Sequence, residues 1–340
     1  MVIKMDINNR RYIGCKTKLL KNIYDSISCL GYSKSSSFAD LFSGTGVVGY
    51  FFAEKGFKTL VNDTLYSNFI SYNAWMGNEN FSEKKIDDTI DFFNNISSAS
   101  LKNNYFSNIY GGKYFSVNDA KKIGFIRDYL EDHKTNFSKR EFCILLTSLM
   151  YSTDKIANTV GHFESFLHKI PDEKGVVLQK LSIKKDIAPV EIFNEDANKL
   201  AGKIKYDIVY IDPPYNARQY INFYHVLENL ARWNKPTVFE GNSMKFQRNE
   251  LKSDYCRNKA PELFKELISS LDCKLIVVSY NNTYKAGSIS SINTISEEQI
   301  KEILESKGKL SVKEINYKSF NSGKTKLEGH KEYLYICEVK

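Results

Sequence analysis

Residues 38–63 read FADLFSGTGVVGYFFAEKGFKTLVND, and their pattern decides the fold class. Residues 38–42 form a short apolar run that stops at glycines, which reads as a buried strand entering a tight turn. Residues 47–55 then carry a helical pattern, and residues 57–62 read as a second strand. Strand, turn, helix and strand in that order open a doubly wound α/β sheet. Further buried strands are expected at residues 191–194, at 206–211 (YDIVYI) and at 274–280 (KLIVVSY). Two more candidates, 310–317 and 332–339, are joined by a polar, glycine-containing loop, which reads as an antiparallel hairpin at the sheet edge.

Residues 75–189 lie between the second and third strands. They look mainly helical, with amphipathic patterns over 86–96, 119–131 and 139–150. A crossover of that length is more than one helix and reads as an inserted subdomain. The expected division is therefore 1–74 for the first part of the sheet domain, 75–189 for the insertion and 190–340 for the rest of the sheet domain.

Bulk composition removes several classes. The chain has 340 residues, 42% hydrophobic and 26% charged, an ordinary globular balance. No stretch approaches the roughly 18 apolar residues of a membrane helix, and the N-terminus lacks an apolar leader segment. Cys15, Cys29, Cys143, Cys256, Cys273 and Cys337 are scattered, so free thiols in a reducing, cytoplasmic setting are expected. The five histidines do not pair with them at metal-ligand spacing, and no metal is expected. The net charge of +8 is compatible with a phosphate-backbone partner and is also common without one.

The turn FSGTGVVG, residues 42–49, matches G-x-G-x-x-G, and Asp63 follows about twenty residues after Gly44. Such glycines let the backbone approach a ligand, and a carboxylate at the end of the second strand can accept from ribose hydroxyls. NAD and S-adenosylmethionine both contain that ribose, and a plain tight turn gives the same pattern. Asp40, inside the first strand, tilts the choice: it suits a sulfonium and an ammonium, and it would repel a pyrophosphate.

The strand at 206–211 ends in Asp212-Pro213-Pro214-Tyr215. Ligands of open α/β sheets bind beyond the carboxyl ends of strands, so these residues point toward a site. Their types suit methylation of an aromatic amine. The lone pair of such an amine is delocalised into its ring, and two acceptors receiving its N–H bonds favour the sp³ form. Asp212 supplies one acceptor. Pro213 cannot donate from its nitrogen, and its carbonyl supplies the other. Tyr215 offers a face for stacking a base, worth about 1–3 kcal/mol, against a cost of a few kcal/mol for extruding that base from a duplex. Cytosine's N4 amino group and RNA pose the same chemical problem.

With these motifs in their order, the sequence resembles the N6-adenine DNA methyltransferases of the Dam-like, alpha-ordered group, including those of restriction–modification systems. The resemblance covers nearly the whole chain. It implies a Rossmann-like S-adenosylmethionine-dependent methyltransferase sheet with the C-terminal hairpin and a helical target-recognition insertion at 75–189. The segment RYIGCKTKLL, residues 11–20, resembles the group's first motif and implies Tyr12 and Lys16 in the cofactor pocket, with Tyr where many members have Trp. FADLFSGTGVVG resembles the cofactor loop, carried by Asp40, Phe42, Gly44 and Gly46. Val61-Asn62-Asp63 resembles the ribose-binding position, and Glu195-Asp196-Ala197 places Asp196 near the cofactor's adenine. Asp212, Pro213, Pro214 and Tyr215 are the implied catalytic set, with Asp212 also bordering the cofactor. The implied activity is direct, in-line methyl transfer to a flipped-out adenine of double-stranded DNA in a bacterial modification system, beside a separate endonuclease. An N4-cytosine or RNA enzyme is the near alternative, and an NAD-dependent oxidoreductase the alternative of another class.

Other segments read as nucleic-acid contacts. Arg218 and Gln219 follow the catalytic turn. Residues 232–259 hold seven basic side chains interleaved with aromatics and fit a mobile loop gripping phosphates, with Arg248 and Lys252 as its test residues. Asn158-Thr159-Val160-Gly161-His162-Phe163 is a polar-aromatic loop in the recognition region. Ser279-Tyr280-Asn281-Asn282 is expected at the border of the same cleft. His225 and Glu228, three apart, read as packed or surface residues rather than as metal ligands.

Overall fold

The computed structural model describes residues 4–282, 292–316 and 331–340. In chain order its elements are α1 (Leu20–Ser28), β1 (Ser37–Asp40), α2 (Val47–Glu54), β2 (Lys58–Asn62), α3 (Tyr66–Met76), α4 (Glu83–Asn95), α5 (Tyr105–Tyr110), α6 (Val117–Asp132), α7 (Lys139–Ile156), β3 (Val190–Phe193), α8 (Ala197–Ala201), β4 (Ile208–Ile211), α9 (Tyr220–Arg232), β5 (Phe239–Glu240), β6 (Lys245–Phe246), α10 (Ala260–Ser270), β7 (Leu275–Asn281), α11 (Glu297–Lys307), β8 (Gly308–Asn316) and β9 (Lys331–Val339). They form two compact units. A sheet unit comprises Ile13–Thr64, Asp186–Tyr220 and Glu250–Lys340, and a helical unit comprises Met1–Tyr12, Leu65–Lys185 and Ile221–Asn249.

The sheet unit carries seven strands in the order β3-β2-β1-β4-β7-β9-β8. The first five are parallel, and β9 pairs antiparallel with both β7 and β8. The α/β sheet with its C-terminal hairpin is thus as the sequence implies, although the loop expected to join β8 and β9 lies outside the described residues. The central strands β4 and β7 are buried almost throughout, as continuous apolar runs demand of strands covered on both faces. Ala39, Leu41, Val209, Ile276 and Val278 pack with Phe264 and Leu267 of α10 and with Ile300 and Leu304 of α11. In α2, Gly49 lets the helix lie close on β2: a Cβ there would stand 2.2 Å from Val61 Cγ1.

Strand register sets the site. Asp40 pairs with Tyr210, Tyr210 with Val277 and Asn281 with Glu332. The carboxyl ends of β1, β4 and β7 therefore come out along one edge. Because β9 runs the other way, it brings its first residues to that same edge.

The helical unit contains α4, α6 and α7, where amphipathic patterns were expected over 86–96, 119–131 and 139–150, and also α3, α5 and most of α9. Fully buried Glu228 of α9 accepts from the backbone N–H groups of Tyr66 and Ser67, capping the start of α3, and from Arg232 Nε at 2.6 Å. Buried Arg127 donates to the carbonyls of Leu230 and Ala231 at the other end of α9. The non-helical stretch 174–179 is held by side chains: Asp119 accepts from Lys174 and Gly175, Asn94 meets both backbone groups of Leu178, and Ser148 those of Gln179. This is how an irregular segment with buried Val176 and Leu178 satisfies its backbone without a sheet. Among the described residues, no helix is long and apolar enough to cross a membrane.

Candidate active site

The turn after β1 is built by Gly44 and Gly46, both at positive φ (54° and 84°), a conformation glycine adopts without a Cβ penalty. Gly46 N–H closes it onto the Ser43 carbonyl at 2.7 Å. Asn62, at the end of β2, donates to the carbonyls of Leu41 and Glu195 and accepts from Glu195 N–H, which ties the ends of three neighbouring strands together. The Asp63 carboxylate, half-buried, accepts from Gly44 N–H at 3.0 Å. Phe42 presents a half-buried ring, edge-on to Tyr255 at 5.1 Å. Asp196 is exposed and caps α8 by accepting from Lys199 N–H.

Asp40 is 1% exposed, and neither carboxylate oxygen has a hydrogen-bond partner. Burial, and next the charge of Asp212, push its pKa well above the usual carboxylate range. A buried carboxylate without a partner is costly, and a cation beside it would relieve that cost.

At the end of β4, Asp212 binds Lys16 Nζ through Oδ2 at 2.8 Å and the Tyr215 hydroxyl through Oδ1. Lys16 Nζ donates to the Tyr215 hydroxyl at 2.6 Å and lies 3.4 Å from Glu332 Oε1. The same hydroxyl donates to Glu332 Oε1 at 2.8 Å, and Ser279 Oγ also donates to that oxygen. Burial works against the Lys16 charge, but Asp212 and Glu332 reverse this and hold the ammonium firmly protonated. The Asp212 carboxyl is raised by burial, lowered by Lys16 and raised again by Glu332, with a net upward shift. The Tyr215 carbonyl accepts from Thr294 N–H at 2.8 Å and from the Tyr280 hydroxyl, so the turn is fixed from behind. Among the described residues no donor meets the Pro213 carbonyl, which leaves this acceptor available beside Asp212.

The sheet unit thus gathers Lys16, Asp40, Phe42, Gly44, Gly46, Asp63, Asp196 and the whole Asp212–Tyr215 tetrapeptide. Tyr12 falls in the helical unit, where its ring stacks on Tyr224 at 4.6 Å and 3° with Arg10 against both rings. Glu332 and Ser279 belong to the cluster and were not singled out as catalytic by sequence reading. Tyr220, whose hydroxyl donates to the Ile13 carbonyl, joins the same unit.

The expected nucleic-acid contacts divide. Arg218 is exposed. Both ends of the Gln219 amide are bonded to the backbone of Ser253, so this side chain braces the chain. Arg248 departs from the expected phosphate clamp. Its side chain is 8% exposed, and its guanidinium is taken up by Asn222, Glu240 and the Phe246 carbonyl. Nor is 232–259 the open basic loop expected. It carries the β5–β6 hairpin, and Arg232, Lys235, Arg248 and Arg257 each pair with a carboxylate. Lys252 is half-buried. Buried His225 lies between the carbonyls of Asn222 and Ser243, and burial lowers its pKa to about 4, which fits the packed role expected of it. Asn158 closes the 158–169 loop by donating to the carbonyls of Lys113 and Leu167, with Phe163 buried and Val160 exposed.

Residues 12–315 match the D12 class N6 adenine-specific DNA methyltransferase family, so the chain belongs to that family. It is 35% identical over 332 residues to the modification methylase StsI of Streptococcus sanguinis, covering 92% of this chain and 49% of that protein. It is 34% identical to the type II methyltransferase M.FokI of Planomicrobium okeanokoites, covering 97% and 52%. Against the type II methyltransferase M.NlaIII of Neisseria lactamica the identity is 31%, covering 96% and 98%. The chain therefore spans about half the length of the first two relatives and nearly all of the third.

Proposed function

We propose that this chain transfers a methyl group from S-adenosylmethionine to N6 of a flipped-out adenine in double-stranded DNA, as the modification enzyme of a restriction–modification system whose endonuclease acts separately. The observation that carries the reading is Asp212, a carboxylate at the carboxyl end of β4 beside the unengaged Pro213 carbonyl. An amino group presented there finds two acceptors for its two N–H bonds, and its lone pair turns out of the ring plane. Each carboxylate oxygen accepts more than one hydrogen bond, so Asp212 can serve the base while Lys16 holds it. Pro214 keeps the turn rigid, and the Tyr215 ring supplies the stacking face.

The residues present fit the cofactor. Asp40 offers a buried carboxylate lacking a partner, which suits a cationic ligand and would repel the pyrophosphate of NAD. Phe42, Gly44, Gly46 and Asp63 would hold the adenosine portion, with Asp196 and Lys16 nearby on the same unit. When bound, S-adenosylmethionine supplies an electrophilic methyl group on a sulfonium. The names of the relatives, modification methylase and type II methyltransferase, support the modification role.

The test is nucleoside mass spectrometry of DNA and RNA incubated with the protein and S-adenosylmethionine. N6-methyladenine in DNA is expected, whereas N4-methylcytosine or a product only in RNA would redirect the reading. The Asp212→Ala variant should bind cofactor and lose transfer by at least about a thousandfold. Transfer at near-parental rate would sink the mechanism.

A further inference from the structure

Glu332 lies at the start of β9, with its side chain 4% exposed, and its partners are Lys16, Tyr215 and Ser279. The Tyr215 hydroxyl has one proton to give and touches two carboxylates, Asp212 and Glu332. When that proton goes to Glu332, Asp212 Oδ1 is left to accept from a substrate amine. Lys16 likewise faces both carboxylates. Shared between the two, its positive charge weighs less on Asp212 than it would in a pair with Asp212 alone.

We propose that Glu332 is a positioning residue for methyl transfer: it draws the Tyr215 hydroxyl proton and part of the Lys16 charge away from Asp212, keeping Asp212 a competent acceptor. Hairpin topology makes this possible, because only an antiparallel strand beside β7 brings its first residues to the edge where β4 ends. The inference rests on the methyltransferase reading above. The groups acting on Asp212 are Lys16 ahead of α1, Tyr215 in the turn and Glu332 on β9; Asp40 on β1, Tyr210 on β4 and Tyr220 on α9 in turn respond to its charge. Glu332 is a like charge beside Asp212, so its removal eases ionisation of Asp212.

The test compares parent, Glu332→Gln, Tyr215→Phe and the double variant in methyl transfer to duplex DNA, across pH, with cofactor affinity measured separately. Glu332→Gln should lower kcat about tenfold, change KM for cofactor less than about threefold, and move the acid limb of the pH profile to lower pH. In the Tyr215→Phe background, which has no hydroxyl proton to divert, Glu332→Gln should cost much less than it does in the parent, since one residue acts through the other. Parental kcat in Glu332→Gln, an unmoved acid limb, or strictly multiplicative losses would each overturn the proposal. If Glu332→Gln fails to fold, Glu332→Asp keeps the charge and should retain the acid limb of the parent; a limb shifted as by charge removal would count against the proposal. A parent that forms no N6-methyladenine would overturn the functional reading itself, and the proposal with it.

Discussion

Asp40 is a buried carboxylate whose oxygens make no well-formed hydrogen bond, although Ser43 and the Phe42 backbone ease its charge in part. Its pKa in the folded chain lies well above the ordinary value of 3.8. The folded state therefore binds a proton more tightly than the unfolded one, and between those two values stability falls as pH rises. Without cofactor, Asp40→Asn should raise stability at pH 7 by about 1–3 kcal/mol and flatten this pH dependence. The same change should weaken S-adenosylmethionine binding by about tenfold or more. Calorimetry on both variants reads the two effects together; a destabilised Asp40→Asn protein with parental affinity would contradict the assigned role. At this scale residue type and position in the motifs singled out Asp40, Asp63 and Asp212, and the structure places all three in the sheet unit. It misjudged Gln219 and Arg248, because a polar side chain in a basic stretch looks solvated until its hydrogen-bond partners are known. Glu332 was invisible for another reason: its partner Tyr215 lies 117 residues away, and only strand order joins them.

Among elements, the packing of α2 on β2 is exacting at Gly49. Gly49→Ala puts a methyl group 2.2 Å from Val61 Cγ1, and a β-branched side chain in a strand has little room to rotate away. A loss of about 1–3 kcal/mol is expected, with Val61→Ala in the same chain restoring most of it; denaturant titration of the four proteins of that cycle measures the coupling. The strands were legible because buried parallel strands read as apolar runs bounded by turns. Helix α3 was not, because its Asn68, Ser71 and Asn73 are buried, which erases the amphipathic stripe that marks a surface helix. Likewise the anchor at its start, Glu228, comes from α9, far along the chain.

For the molecule as a whole, the charge of +8 is less available than it looks, since much of the basic stretch at 232–259 is neutralised internally. Exposed Arg218 is the better candidate for a phosphate contact. Arg218→Ala should reduce the steepness of DNA affinity against salt by about one unit of slope. Arg248→Ala should leave the slope alone and lower stability by about 1–3 kcal/mol, because it strips a buried hydrogen-bonded brace. Binding titrations over a range of salt, paired with melting curves, separate the two. Equal slopes for parent and Arg218→Ala would remove that arginine from the interface.

Lys16 stands ahead of α1, and Glu332 opens β9. A ribosome releases these two partners at widely separated moments. Strands β1 to β7 can pair while β9 is still in the exit tunnel, but the Asp212–Lys16–Tyr215 cluster then lacks Glu332. If Glu332 positions Asp212 as proposed, the cluster is completed only when β9 has emerged and paired with β7.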